Sequence, residues 1–163
     1  MKEEKKIKVL FICTGNICRS PTAEGVFKHF VQQAGLAGDV LSDSAGTHDY
    51  HVGEAPDPRT QRAAETRGYD LTALRARQVR RGDFEEFDYV LAMDQANLLA
   101  LQRFCPAQYS RKLRLFMEFG NDPAVREVPD PYYGGTQGFE RVLDLVEQAS
   151  KGLLSQLRDE ISK

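Results

Sequence analysis

Residues 13–20, with the sequence CTGNICRS, constrain the fold of this chain more than any other stretch. They lie between an apolar run at residues 7–12 and a segment, residues 23–34, whose apolar residues recur with helical spacing. A continuous apolar run is typical of a central parallel strand that is covered on both faces. The sequence therefore predicts a buried strand that runs through a short loop into a helix.

The residue types of this loop suit the binding of an anion. Backbone N–H groups of a tight loop converge on one point, and a helix N-terminus adds a partial positive charge. Gly15 and Asn16 tolerate the left-handed backbone that such a loop requires. Arg19 offers a fork of donors that matches two phosphate oxygens, and this field favours the nucleophilic thiolate form of Cys13. The alternatives are a small buried cysteine, or metal binding by Cys13 and Cys18, for which no second pair of ligands stands at zinc spacing.

The loop resembles the Cys-x5-Arg-Ser signature of the protein tyrosine phosphatases. Its place near the N-terminus, with Gly-Asn-Ile-Cys inside, is similar to the low-molecular-weight family, and the resemblance covers nearly the whole chain. It implies substrate binding by the loop residues Thr14, Gly15, Asn16, Ile17, Cys18 and Ser20. Ser20 stays open between a hydrogen bond to the thiolate and an ordinary N-cap with Pro21 in the first turn. The resemblance also implies that Asn16 and Ser44 hold the loop in shape, and that Asp94 is structural.

Strand-like and helix-like segments alternate along the rest of the chain. Further strands are predicted at residues 40–45, 89–93 and 112–116, and helices at residues 58–68, 94–103 and 138–161, the first two capped by Asp57 and Asp94. This alternation predicts one α/β domain over residues 1–163, with three layers and a parallel sheet. The family resemblance implies four strands in the order 2-1-3-4, with helices on both faces.

A thiolate that attacks a phosphate monoester needs an acid to protonate the leaving group, and no histidine neighbours Cys13 in sequence. Asp130 lies in a long loop, residues 121–138, and from the residues alone it is either this acid or a turn residue of an Asp-Pro pair. The Asp-Pro-Tyr-Tyr sequence resembles the general-acid loop of the family. The resemblance implies that Asp130 is the acid, and that Tyr132, Tyr133 and Tyr50 line the pocket for a substrate ring.

Composition and charge limit the partners. The chain has 163 residues and a net charge of -2, which gives no reason to expect nucleic-acid binding. No apolar run reaches membrane-spanning length, so no membrane insertion is expected. Three cysteines do not indicate a disulfide framework, and a reducing, cytoplasmic setting is expected. A monomer is expected, and the mechanism requires no metal or organic cofactor. The resemblance implies action on tyrosine-phosphorylated proteins, with inorganic phosphate as a product.

Several alternative interpretations agree less well with the sequence. A metal site at His48 and His51 lacks a third ligand, and the basic run at residues 75–81 is interpreted as solvated surface rather than a docking site. Arsenate reduction needs relay cysteines, of which only Cys105 is distal. The apolar Ile17 argues against a phosphoarginine phosphatase, because it suits an aromatic ring better than a guanidinium group. The presence of both Cys13 and Asp130 argues against a binding module without catalysis. Cys18 is expected to form a reversible disulfide with Cys13 on oxidation, or to be packing only.

Overall fold

Four parallel strands form one sheet in the order β2-β1-β3-β4. The computed structural model describes residues 6–132 and 135–162. The strands are β1 (Ile7–Cys13), β2 (Val40–Gly46), β3 (Tyr89–Ala92) and β4 (Leu113–Leu115). The predicted fold class and strand order are therefore confirmed, and the prediction at residues 112–116 was two residues too long.

Strand β1 is central, which explains its continuous apolar run. It pairs with β2 on one side, from Ile7 opposite Val40 to Cys13 opposite Gly46, and with β3 on the other. Its residues from Val9 to Ile12 are fully buried because helices cover both faces of the sheet.

The helices are α1 (Arg19–Gln33), α2 (Pro58–Glu65), α3 (Arg81–Glu86), α4 (Gln95–Phe104) and α5 (Thr136–Ile161). Short 3-10 helices at Ala107–Lys112 and Phe116–Phe119 flank β4. Phe11 of β1 packs with α1 and α5 on one face of the sheet. Leu10 and Ile12 pack with α3 and α4 on the other face, and the predicted three layers follow from this division.

Helix caps agree with the sequence at two of three positions. Asp57 accepts a hydrogen bond from the Arg59 N–H at the start of α2, and Asp94 accepts one from the Asn97 N–H at the start of α4. Helix α1 differs, because it begins at Arg19 with Cys18 as its N-cap residue. The alternative that made Ser20 the N-cap is therefore wrong: Ser20 lies in the first turn, and its hydroxyl turns back to the loop.

The strand-to-helix turn at residues 13–19 lies at the carboxyl end of the central strand. Such an edge of a parallel sheet is where ligands of open α/β folds bind. Within residues 6–132 and 135–162, no helix combines the length and the apolar character that crossing a membrane requires.

Candidate active site

The Cys13 thiol is the centre of a curled loop. Its Sγ atom lies 3.0 Å from Ser20 Oγ and 3.3 Å from the backbone nitrogen of Asn16, which donates to it. Both groups can donate to a thiolate, since a hydroxyl hydrogen rotates to suit its acceptor. The loop therefore holds the sulfur between one backbone N–H and one hydroxyl, which are donors that a nucleophilic thiolate requires.

Asn16 fixes the curl from behind. It has a left-handed backbone, with φ of 59°, as its residue type predicts. Its buried Nδ2 donates to Ser20 Oγ at 2.8 Å and to Ser44 Oγ at 2.9 Å. Its Oδ1 accepts from the backbone N–H of Arg77 at 3.0 Å. Because Asn16 donates to both serines, each serine keeps its own hydroxyl proton free to donate elsewhere.

The second serine donates that proton to a buried carboxylate. Ser44 Oγ lies 2.7 Å from Glu24 Oε1, and Glu24 is only 5% exposed although it lies in α1. Burial raises the pKa of the Glu24 carboxyl above its usual range, while the hydrogen bond from Ser44 opposes this shift. A continuous path of hydrogen bonds therefore runs from Glu24 through both serines and Asn16 to the Cys13 sulfur.

Arg19 is the buried cation of the site. Its Nη1 donates to Asp94 Oδ2 at 2.5 Å and to the carbonyl of Val128 at 3.1 Å. Burial alone would lower the pKa of Arg19, but its interactions with Cys13 and Asp94 outweigh burial and raise the pKa above its usual range. These contacts fix the plane of the guanidinium group, so that it needs no reordering when an anion binds.

A further buried amide supports this arrangement from α4. Asn97 Nδ2 donates to Thr14 Oγ1 at 3.1 Å, and Thr14 Oγ1 also accepts from Arg19 Nη2 at 3.4 Å. Asn97 is itself fixed by the Asp94 cap, to which its backbone N–H donates at 2.8 Å. Asp94 therefore does two things at once: it caps α4 and it orients Arg19.

A cleft of about 250 Å³ opens above the loop. Six of the nine residues predicted to bind substrate line it, together with the three predicted catalytic residues and His51: Cys13, Thr14, Gly15, Ile17, Cys18, Arg19, Tyr50, His51, Asp130 and Tyr132. The side chains of Asn16, Ser20, Ser44 and Asp94 lie behind the loop, where their hydrogen bonds support it. Tyr133, the remaining predicted contact, lies outside the described residues.

Asp130 stands at the mouth of this cleft, opposite the loop. Its Oδ2 is 3.8 Å from Arg19 Nη2, and its side chain is 47% exposed. Its Oδ1 accepts from the backbone N–H of Tyr132 at 3.0 Å, which is the local turn that an Asp-Pro pair favours. The two alternatives for Asp130, a turn residue and a residue of the site, are therefore compatible, because the turn places its carboxyl at the cleft.

Cys18 also lines the cleft, and its thiol differs from that of Cys13. Burial raises the pKa of the Cys18 thiol to about 12, with a contribution from the nearby Asp57 carboxylate. At neutral pH the Cys18 thiol therefore stays protonated.

Sequence reasoning missed several residues of the site. His51 lines the cleft, with Nδ1 2.8 Å from Glu54 Oε2, instead of serving a metal. In the parts of the chain that are described, no group of three or more His, Cys, Asp or Glu side chains is arranged to hold a metal ion. No sequence pattern marked Glu24, Arg77 or Asn97 as part of the site, because each is a polar residue within a predicted helix or the basic run.

A thiol that accepts from the Asn16 N–H, a fixed guanidinium group and a half-exposed carboxyl share one cleft on an α/β fold, an arrangement that suits the binding and transfer of a phosphoryl group. The model of the family "Low molecular weight phosphotyrosine protein phosphatase" matches residues 8–163. The chain belongs to this family.

Individual relatives agree with the family match. A low molecular weight protein-tyrosine-phosphatase from Streptomyces coelicolor is 47% identical, over 94% of this chain and 95% of that protein. A low molecular weight phosphotyrosine protein phosphatase from Schizosaccharomyces pombe is 46% identical, over 83% and 86%. The crystal structure of a protein tyrosine phosphatase from Entamoeba histolytica, with Hepes in its active site, superimposes with a TM-score of 0.92 at 42% identity, covering 95% of this chain and 99% of that one.

Proposed function

We propose that this chain is a protein-tyrosine phosphatase that hydrolyses phosphotyrosine through a cysteinyl-phosphate intermediate, with Asp130 as the general acid. The observation that carries the proposal is the position of Cys13 Sγ, which accepts from the backbone N–H of Asn16 in the loop and shares one cleft with Arg19 and Asp130. The names of the relatives, which are phosphoric monoester hydrolases, support the same reaction class. The match over residues 8–163 supports a single catalytic domain.

The first chemical step transfers the phosphoryl group to sulfur. The Cys13 thiolate attacks phosphorus, a sulfur–phosphorus bond forms, and the bond between phosphorus and the tyrosine oxygen breaks. The departing phenolate takes the proton of Asp130, which faces the loop from the cleft mouth. Arg19 and the loop N–H groups stabilise the negative charge on the equatorial oxygens.

The second step returns the thiolate. Asp130, now ionised, takes a proton from water, the water oxygen attacks phosphorus, and the sulfur–phosphorus bond breaks. Inorganic phosphate leaves, and the Ser20 hydroxyl, 3.0 Å from the sulfur, stabilises Cys13 as the departing thiolate. The cycle uses no metal and no organic cofactor.

The cleft walls favour an aromatic phosphate ester. Ile17 of the loop lines the cleft together with Tyr50 and Tyr132, and the two tyrosines are 67% and 40% exposed. An aromatic ring that reaches the loop contacts these walls, whereas the shorter side chain of phosphoserine does not extend to them. Tyrosine-phosphorylated proteins are therefore the proposed substrates.

Substitution of the two reacting residues tests the proposal. Cys13→Ser should abolish turnover and still bind phosphate or vanadate. Asp130→Asn should lower kcat/KM for phenyl phosphate by roughly 10²–10⁴-fold, because a phenol of pKa about 10 leaves poorly without a proton. A dinitrophenyl phosphate, whose phenol is strongly acidic, should be nearly unaffected. Residual turnover by Cys13→Ser would exclude the covalent intermediate, and an equal loss for both esters would exclude Asp130 as the acid.

A further inference from the structure

Arg59, which no motif of the sequence singles out, lies between two aromatic rings beside the cleft. Its guanidinium carbon is 5.4 Å from the ring centroid of Tyr132 and 4.9 Å from that of Phe139, in the first turns of α5. Cations at such distances from an aromatic face are attracted to it. Arg59 does not itself line the cleft, so it is not placed to contact the phosphate.

The other side of the guanidinium group is held by Asp57. Arg59 Nε and Nη2 donate to the two carboxylate oxygens at 3.1 and 3.0 Å, which is a bidentate pair. Asp57 is the buried N-cap residue of α2, and its backbone N–H donates to the carbonyl of Ile17 at 2.9 Å. One end of this arrangement is therefore fixed to the phosphate-binding loop.

Its other end reaches the proposed general acid. Tyr132, whose ring lies over Arg59, donates its backbone N–H to Asp130 Oδ1 at 3.0 Å. We infer that Arg59 is a positioning residue: it couples the acid-bearing turn, Asp130 to Tyr132, to the phosphate-binding loop, and so sets where Asp130 presents its proton. This inference rests on the proposed role of Asp130.

The half-exposed side chain of Asp130 explains why such a residue is needed. Beyond the turn N–H and the 3.8 Å approach to Arg19, the described residues offer its carboxylate no further hydrogen bond or ion pair. The acid must nevertheless reach one leaving oxygen with hydrogen-bond geometry. Contact of Tyr132 with a guanidinium group that is fixed on two other sides limits the movement of the turn.

The test is a double-mutant cycle between Arg59→Ala and Asp130→Asn, read in kcat/KM for two esters. Arg59→Ala should lower kcat/KM for phenyl phosphate about fivefold, which is the size of a partly exposed cation–π contact, and leave dinitrophenyl phosphate unchanged. In the Asp130→Asn background, Arg59→Ala should have no further effect on either ester. Arg62→Ala, at an exposed position of the same helix, is the control and should match the wild type.

Two measurements separate positioning from damage to the fold. Inhibition by inorganic phosphate should be unchanged in Arg59→Ala, because the loop and Arg19 are intact. Arg59→Lys keeps the charge but lacks the planar fork, and it should remain nearly as impaired as Arg59→Ala. Full activity of Arg59→Lys, an equal loss for both esters, or an additive loss in the Asp130→Asn background would overturn the inference. If Asp130→Asn alone shows no dependence on the leaving group, the proposed function fails instead.

Discussion

Replacement of Arg77 with alanine should destabilise the protein far more than a surface position in a basic run suggests. Arg77 donates to both oxygens of Asp83 at 3.0 and 3.2 Å, and its Nε and Nη2 donate to Asp43 Oδ2 at 3.2 and 3.1 Å. The Asp83 side chain is 1% exposed, whereas that of Asp43 is 44% exposed. Loss of the guanidinium group therefore strands one buried carboxylate behind the site, where the Arg77 backbone supports Asn16.

The magnitude follows from this difference in burial. Removal of one partner of a buried pair costs roughly 3–5 kcal/mol, whereas an exposed pair such as that with Asp43 contributes about 0–1 kcal/mol. Asp83 keeps a hydrogen bond from the Arg80 N–H at 2.8 Å, which places the loss near the lower end, about 3 kcal/mol. For a chain of this size each kcal/mol lowers Tm by about 2–4 °C, so the expected decrease in Tm is about 6–12 °C.

Urea and thermal unfolding measure the effect, with Arg81→Ala as the control. Arg81 is an exposed residue of the same run, and its loss should change the free energy of unfolding by at most about 0.5 kcal/mol. Adding Asp83→Asn to Arg77→Ala should restore much of the stability, because the stranded charge is then removed. High salt should not restore it, since buried charges are poorly screened. Equal stability of Arg77→Ala and Arg81→Ala, or a double variant no more stable than Arg77→Ala, would refute the reasoning.

Three further predictions follow from single residues of the site. The pKa of Glu24 is higher in the folded than in the unfolded chain, so the free energy of unfolding falls as pH rises from the unfolded to the folded pKa. Glu24→Gln should therefore have a higher Tm than the wild type at pH 7 but nearly the same Tm at pH 4, and an equal increase at both pH values would contradict this. Cys18→Ser should be as active as the wild type before oxidation, but after mild peroxide it should regain little activity with dithiothreitol, whereas the wild type should recover through a Cys13–Cys18 disulfide that mass spectrometry detects. Equal recovery of the two proteins would mean that Cys18 has only a packing role. Ile17→Thr should raise kcat/KM for phosphoarginine relative to phosphotyrosine, and an unchanged ratio would remove Ile17 from specificity.

Local physical chemistry explains why so much of the fold was predictable. The apolar run of β1, the Asp-Pro start of α2 and the Asp94 cap of α4 each depend on residues within one turn or strand. Helix α1 begins at Arg19, ahead of the apolar spacing at residues 23–34, because hydrophobic periodicity marks only the turns that face the core. Its first turn is polar because it faces the site.

Close approach between distant segments could not be predicted from one sequence. Gly46 directly follows the strand predicted at residues 40–45, and a Cβ atom there would lie 2.7 Å from the carbonyl oxygen of Thr14. Gly15 similarly leaves room for the His51 ring, whose Cδ2 would lie 3.0 Å from an added Cβ. Both requirements arise from packing between loops that are far apart in sequence, and the residues alone carry no sign of it.

The basic run at residues 75–81 shows why the supporting groups of the site were missed. Patterns of apolar and polar residues assign every charged side chain to solvent, and that interpretation is wrong for Arg77, which is bound between Asp43 and Asp83. A charged or amide group remains buried only where partners satisfy it, since an unpaired one costs more than its contacts return. Asn16 and Glu24 are buried for this reason, since Asn16 donates to Ser44 and Ser44 donates to Glu24. The strongest functional signal in this fold is therefore a polar residue that the local sequence pattern predicts to be exposed but that the structure shows to be buried.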